Sequence, residues 1–182
     1  MKDQSDQLLL KQIEKGDRGA FGELLNRHSL RAYRLALRIC GRREDAEDIV
    51  QDVMLKLWKE PWRYNQLEAG TFSTWLYRVV SNAALNVVKR RRFEADDDSA
   101  LADLRDDHDT EEALDNRLKR LRVTAALEKI PDQQKHAVIL CYFEEFSNQE
   151  AAAIMNLNIP ALQSLLMRGK ANLKRILQEP TI

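Results

Sequence analysis

The stretch that decides the fold of this chain is Ser147-Asn148-Gln149-Glu150, which has the spacing of a helix capping box. In that motif the serine hydroxyl accepts the backbone N–H of the glutamate, and the glutamate carboxylate accepts the backbone N–H of the serine. The sequence therefore predicts a helix over about 148–155, where the small side chains of Ala151–Ala153 allow another helix to approach closely. Asn156 tolerates the left-handed conformation in which many helices end, so it predicts the end of this one.

A second helix follows and has two contrasting faces. Pro160 suits its first turn, where a missing N–H costs nothing. Its apolar residues recur at steps of three and four and predict a buried stripe of Leu162, Leu166, Gly169, Leu173 and Ile176. The opposite face is polar and basic and comprises Gln163, Ser164, Met167, Arg168, Lys170 and Lys174. This pattern predicts either a helix-turn-helix that enters a DNA major groove or an ordinary helical hairpin in an all-α core.

The composition allows one large domain or two small ones, with 182 residues of which 44% are hydrophobic. No run of 18 apolar residues and no signal peptide are found, so no membrane insertion is predicted. Cys40 and Cys141 lie far apart with no other Cys or His at ligand spacing. We therefore expect buried thiols in a reducing compartment, without a disulfide, a metal or another cofactor. These features predict a cytoplasmic protein.

Charge is distributed unevenly, although Lys plus Arg and Asp plus Glu number 29 each. Residues 1–92 carry 18 basic against 12 acidic side chains, residues 93–117 carry 2 against 11, and residues 118–182 carry 9 against 6. Two mildly basic domains, 1–92 and 118–182, are therefore predicted on either side of an acidic linker. The linker has too little apolar surface to offset the entropy of ordering, which predicts a flexible spacer or a mimic of nucleic-acid charge.

The first domain is predicted to be helical throughout, because every segment from Asp6 to Arg92 has helical periodicity. One helix over about 17–39 ends at Gly41, and the next covers about 43–59. The buried stripe of this second helix is predicted to comprise Ala46, Ile49, Val50, Val53 and Leu57. Its acidic face comprises Asp45, Asp48 and Asp52, with Glu44, Glu47 and Gln51 beside them. Since neighbouring carboxylates repel one another, this face indicates either a basic partner surface or a solvated helix side.

The last helix of this domain combines aromatic, polar and basic residues. It begins near Thr71 and ends in the basic cluster Lys89, Arg90, Arg91 and Arg92. Trp75, Arg78, Asn82 and Lys89 recur at helical spacing and share an outer face. Further aromatic residues in and around the preceding loop and this helix are Trp58, Trp62, Tyr64 and Tyr77. Exposed rings beside Asn and Arg can stack on unpaired bases and recognise them, although part of this set is expected to lie in the core.

Three stretches together resemble a bacterial extracytoplasmic-function (ECF) sigma factor of the sigma-70 family. They are Asp45-Ala46-Glu47-Asp48-Ile49-Val50-Gln51-Asp52, the segment Thr71–Asn82, and the C-terminal helix-turn-helix. The first two are highly specific, and the resemblance covers residues 8–92 and 112–177 in the order of the family. It implies a dissociable RNA polymerase subunit with two helical domains, called region 2 and region 4, and no enzymatic activity of its own.

The resemblance also implies roles for individual residues. The acidic helix 44–58 would bind the coiled-coil clamp of the largest subunit of core RNA polymerase, through Asp45, Asp48, Gln51 and Asp52. The promoter −10 element would be bound and opened by Tyr64, Trp75, Arg78, Asn82, Lys89, Arg90, Arg91 and Arg92. The −35 element would be contacted by Gln163, Ser164, Met167, Arg168, Lys170 and Lys174. An anti-sigma factor is the further partner that the family implies.

The chain departs from the family at three positions of its second C-terminal helix. Gln163 and Leu165 stand where many members carry basic residues, and Gly169 replaces the usual alanine. These departures predict a −35 contact with less positive charge or with a different specificity. Leu165 could instead pack against the first domain or a regulator.

Two other functions remain as alternatives. A stand-alone helix-turn-helix regulator would bind duplex DNA, but it needs neither the acidic helix nor the set of Tyr64, Trp75 and Asn82. An enzyme would need a site of its own. The three aspartates of the acidic face could be metal ligands, yet no His or Cys joins them and no Gly-rich phosphate loop is present. A sigma factor is therefore the predicted function.

Overall fold

The computed structural model consists of helices joined by short turns. It describes residues 5–62, 71–94 and 121–178. Every regular element within these ranges is helical and none is a strand, which confirms the predicted all-α class. Tyr64 lies outside the described residues.

The chain separates into two compact units. The first unit is Met1–Leu101 and the second is Ala102–Ile182. The division falls within the acidic segment 93–117, nearly all of which lies outside the described residues, and the domain boundaries at 92 and 117 stay predictions.

The first unit is arranged around one long central helix. Its helices are α1 (Asp6–Ile13), α2 (Arg18–Cys40), α3 (Arg43–Lys59) and α4 (Phe72–Glu94). The central helix α2 packs against each of the other three. It begins where the Asp17 carboxylate accepts the backbone N–H groups of Gly19 and Ala20, at 2.8 and 3.1 Å. It ends, as predicted, at Gly41, whose φ of 76° is costly for any residue with a side chain.

The core of the first unit is apolar and contains one polar network. Its fully buried side chains include Leu24, Leu35, Ile39, Leu57, Leu76 and Val80. His28 on α2 is also buried, with Nε2 2.8 Å from Asp6 Oδ2 on α1 and Nδ1 3.2 Å from the Tyr77 hydroxyl on α4. Buried polar groups that are hydrogen-bonded in this way stabilise one arrangement of the three helices. Tyr77 is therefore a core residue and is not available for base stacking.

The second unit contains the predicted helix-turn-helix. Its elements are α5 (121–128), α6 (Asp132–Val138), a π-helical turn (Ile139–Phe143), α7 (Asn148–Met155) and α8 (Ile159–Gln178). Both bonds of the capping box are present, from the Glu150 N–H to Ser147 Oγ at 3.2 Å and from the Ser147 N–H to Glu150 Oε2 at 2.9 Å. Asn156 ends α7 in the left-handed conformation, at φ 56°. The local signals in the sequence thus predicted this motif correctly.

The buried side of α8 is wider than the predicted stripe. Leu162, Leu166 and Gly169 are buried as predicted, and Leu165 joins them with 7% of its surface exposed. The sequence suggested that Leu165 could pack against the first domain or a regulator, whereas the structure places this side chain on the buried side of α8. An apolar residue here therefore removes no contact from the exposed face.

The helices α6 and α8 cross closely at Gly169. A Cβ atom at this position would lie 2.9 Å from Val138 Cγ2 and 3.4 Å from Gln134 Cβ, so glycine permits the approach. The Asn172 side-chain amide donates to Gln134 Oε1 at 2.8 Å one turn further along. Gly169 is therefore a packing position and not a DNA contact.

Burial lowers the pKa of His136 on α6 to about 4, so its imidazole is neutral at neutral pH.

Candidate polymerase and nucleic-acid interfaces

The acidic face of α3 is exposed as predicted for three of its four candidate residues. Asp48, Gln51 and Asp52 lie in solvent, opposite a buried side formed by Ala46, Ile49, Val53, Met54 and Leu57. Among the described residues, neither the Asp48 nor the Asp52 carboxylate has an ion-pair partner within the chain. Two negative charges one helical turn apart without compensation repel each other, so a cationic partner would stabilise this surface.

Asp45, the fourth candidate on α3, is engaged within the protein. Its carboxylate forms an ion pair with Arg91, and both side chains are about three-quarters buried. Arg91 also donates through NH1 to the backbone carbonyl of Cys40 at 3.0 Å. This arrangement joins the first turn of α3, the last turn of α2 and the end of α4. Asp45 and Arg91 were predicted on separate interfaces, and the structure brings them together.

The outer face of α4 contains the remaining −10 candidates in the described residues. Asn82 is exposed, whereas Trp75 and Arg78 are half-buried. The Trp75 ring lies against Phe72, with the centroids 5.7 Å apart, so its orientation is restricted. Thr71 precedes the helix, and its Oγ1 accepts the Thr74 backbone N–H at 3.4 Å.

The basic end of α4 is largely solvent-exposed. Lys89, Arg90 and Arg92 are exposed, and Arg90 forms an exposed ion pair with Glu94 at 3.7 Å. The helix continues to Glu94, two residues beyond the predicted domain boundary. An exposed pair of this kind contributes little, so Arg90 can exchange its partner for a phosphate at small cost.

The aromatic set divides between core and surface. Trp62 is exposed, Trp58 is half-buried with its ring centroid 5.0 Å from that of Phe21, and Tyr77 is buried. Trp58 and Tyr77 therefore serve mainly in packing. This leaves Trp62 and Trp75 as the rings of this set, among the described residues, that could stack on a base.

The exposed face of α8 carries the predicted −35 candidates. Gln163, Met167, Arg168, Lys170 and Lys174 are exposed, and Ser164 is half-buried. The helix begins where Asn158 Oδ1 accepts the Ala161 backbone N–H at 2.8 Å. Arg168 Nε donates to the Ser164 carbonyl at 3.3 Å, along its own helix, and no ion pair joins Arg168 to Glu150 among the described side chains. The Arg168 guanidinium thus remains at the surface, where a base edge can reach it.

Sequence reasoning missed one contact of this surface. The Lys170 ammonium lies over the Tyr142 ring, with Nζ 4.9 Å from the centroid. Tyr142 belongs to the π-helical turn and is 51% exposed. No sequence pattern could have shown this pair, because a π-helical turn shifts residues out of the ordinary helical periodicity.

Within the described ranges, the cysteines and the potential metal ligands add no further site. Neither cysteine forms a disulfide in the structure. Cys40 is buried as predicted, whereas Cys141 was also predicted to be buried and is only half-buried. Burial raises the pKa of the Cys141 thiol, which keeps it protonated at neutral pH. The described residues include no cluster of three or more potential metal ligands. Among the described helices, none is both long and apolar enough to cross a bilayer.

The first unit combines an acidic helix face with a basic helix that carries aromatic residues. The second unit contains a helix-turn-helix. Together these features are typical of a DNA-binding protein. The family models for Sigma-70 region 2 and Sigma-70, region 4 match residues 24–94 and 120–173. The ECF RNA polymerase sigma factor SigM of Mycobacterium tuberculosis is 30% identical over 96% of this chain and 86% of its own length. This chain therefore belongs to the ECF sigma factors of the sigma-70 family.

Two further relatives have the same architecture or sequence pattern. The ECF RNA polymerase sigma factor SigE of Mycolicibacterium smegmatis is 32% identical to this chain. The match covers 87% of this chain and 63% of the length of SigE. The structure of CnrH in complex with the cytosolic domain of CnrY superposes with a TM-score of 0.70 at 23% identity, covering 98% of this chain and all of that one. Sigma-70 regions 2 and 4 mediate promoter recognition in transcription initiation, and this chain contains both.

Proposed function

We propose that this chain binds core RNA polymerase through α3, opens the promoter −10 element with α4 and contacts the −35 element with α8. The observation that carries the proposal is the exposure of three separate polar surfaces on the helices where the family motifs lie. One surface is acidic and two are basic or polar. An acidic protein surface complements a basic protein partner, whereas the other two complement nucleic acid.

The polymerase contact rests on Asp48, Gln51 and Asp52. Their side chains are exposed on one side of a helix whose other side is firmly buried. Asp45 contributes indirectly, because its ion pair with Arg91 positions the first turn of α3.

The −10 contact rests on Asn82, with Trp75 and Arg78 on the same face. Lys89, Arg90 and Arg92 supply positive charge for the phosphates, and Arg91 supports the helix from within. Unstacking one or two bases costs a few kcal/mol, which stacking and phosphate contacts can offset. Promoter opening then needs no enzymatic activity of the chain itself.

Asn82→Ala is expected to relax the preference for one base of the −10 element by about 1–3 kcal/mol, because an amide can bond to a base edge with two hydrogen bonds. Competition binding of holoenzyme to a library of −10 variants measures this preference. Asn26→Ala, an exposed substitution of the same kind on α2, is the matched control. A uniform loss over all −10 variants would show that Asn82 supports the fold and does not recognise a base.

Arg168→Ala is expected to change which −35 sequences are used, by about 1–3 kcal/mol at one position, because arginine can form two hydrogen bonds with a guanine edge. Lys174→Ala should weaken all −35 sequences together, since a phosphate contact carries no sequence information. Transcription from a library of −35 variants distinguishes the two outcomes. An unchanged preference with Arg168→Ala would remove this residue from the recognition set.

Two properties of the protein in the cell belong to the same proposal. We expect it to act in the cytoplasm, where RNA polymerase is found. We also expect an anti-sigma factor to restrain it, because the similar folds of CnrH and of RpoE from Bartonella quintana were solved in complex with CnrY and with the anti-sigma factor NepR, respectively.

The dependence of promoter binding on core polymerase tests the proposal against its main alternative. A labelled promoter fragment is titrated with the chain alone, with core polymerase alone and with both together. Tight, sequence-specific binding only with both supports a sigma factor. Equally tight binding by the chain alone would instead indicate a helix-turn-helix repressor.

A further inference from the structure

Tyr142 lies outside the helix-turn-helix but beside its exposed face. It occupies the π-helical turn Ile139–Phe143, and about half of its surface is exposed. Its ring supports the Lys170 ammonium of α8 at 4.9 Å. A cation over an aromatic face is attracted by the ring, so the flexible lysine chain is restricted to one region of the surface.

The packing beneath the two residues holds both of them in place. Lys170 directly follows Gly169, where α8 and α6 cross so closely that an added Cβ atom would lie 2.9 Å from Val138 Cγ2. The hydrogen bond from Asn172 to Gln134 lies on the other side of Lys170 along the helix. Tyr142 is connected to the same helix α6 by the π-helical turn, which begins at the residue after Val138. The pair therefore joins two elements whose approach is already fixed.

We propose that Tyr142 and Lys170 together bind one phosphate group of the −35 DNA backbone. The Tyr142 hydroxyl donates a hydrogen bond to a phosphate oxygen, and the Lys170 ammonium supplies the positive charge. Tyrosine hydroxyls and lysine ammonium groups are both common phosphate contacts. The −35 surface then includes the turn that precedes the helix-turn-helix, besides α8 itself. This inference rests on the proposed binding of α8 to the −35 element.

The inference predicts different effects for the two residues. Lys170→Gln removes a charge, so it should lower affinity and reduce the slope of log affinity against log salt by about 0.9. Tyr142→Phe removes only the hydroxyl, so it should lower affinity about 3- to 10-fold with an unchanged slope. Tyr142→Leu removes the ring as well and should lower affinity further. Because both side chains bind one phosphate, the double variant Tyr142→Phe with Lys170→Gln should lose less than the product of the two single losses.

The experiment measures promoter affinity of holoenzyme, assembled from core polymerase and full-length chain, at several salt concentrations. Tyr33→Phe, on α2 of the first unit, is the matched control and should bind like the wild type. Single phosphates of the −35 duplex are then replaced by neutral methylphosphonates. At one position the replacement should weaken the wild type and abolish its advantage over Tyr142→Phe.

Each outcome decides the inference. Wild-type affinity of Tyr142→Phe combined with weak binding by Tyr142→Leu would overturn it, because the ring alone would then position Lys170. The absence of any methylphosphonate position specific to Tyr142 would also overturn it. If either of these results is found while the wild-type holoenzyme still discriminates −35 sequences, only the inference fails and the proposed function stands. If it shows no −35 dependence at all, both are overturned.

Discussion

Reversing Asp48 and Asp52 together to Lys is expected to weaken assembly with core RNA polymerase by at least about 100-fold, since like charges at an interface cost several kcal/mol. The two side chains are exposed on α3 and have no ion-pair partner among the described residues, so the substitutions should leave the fold of the first unit intact. A pull-down of core polymerase over a range of chain concentrations gives the affinity, and circular dichroism gives the helical content.

The matched control for this charge reversal is Glu47→Lys on the same helix. Glu47 is exposed but lies about 100° around the helix from Asp48, which places it beside the acidic face. This control reverses one charge on the same helix, against two in the double variant, and is expected to reduce affinity only modestly. Normal affinity of the Asp48 and Asp52 variant, with normal helical content, would remove α3 from the polymerase interface.

Gly169→Ala is expected to destabilise the second unit by about 1–3 kcal/mol, the usual cost of overpacking. The new methyl group would lie 2.9 Å from Val138 Cγ2, and a buried valine in a helix has little freedom to move away. Alanine favours a helix over glycine by about 1 kcal/mol, so the contact must exceed this gain for the prediction to hold. Urea unfolding of the full-length chain measures the change in the free energy of unfolding.

A double-mutant cycle with Val138→Ala provides the control for this prediction. Without the Val138 methyl groups the overlap disappears, so Gly169→Ala should become neutral or stabilising in that background. A loss of stability equal in both backgrounds would contradict the close crossing of α6 and α8. The expected result of the cycle would also show that glycine is needed here for the close packing of α6 and α8. The sequence alone had suggested that Gly169 alters the contact with the −35 element.

The elements that the sequence predicted well are those specified by neighbouring residues. The capping box at Ser147, the left-handed end at Asn156 and the stop at Gly41 each depend on a few adjacent side chains. Helical periodicity likewise predicted which side of α3 is buried. Local hydrogen bonding and the burial of one helix side need no knowledge of the rest of the fold.

The features that the sequence did not predict depend on contacts between distant segments. The ion pair of Asp45 and Arg91 forms only when the ends of α2, α3 and α4 meet. The burial of Leu165 depends on how α8 packs within its unit, and the contact of Tyr142 with Lys170 depends on a π-helical turn without a sequence signature. Charge and hydropathy patterns show that such residues are present, but not which partner each one meets.

The most direct test of the proposed function is in vitro transcription with purified core polymerase and a genomic template, with start sites mapped across the genome. We expect the chain to produce starts at a limited set of positions preceded by shared −10 and −35 sequences, and core polymerase alone to produce none of them. The Asp48 and Asp52 reversal should abolish these starts. Start sites that are the same with and without the chain, or that it only represses, would contradict its assignment as a promoter-recognising subunit.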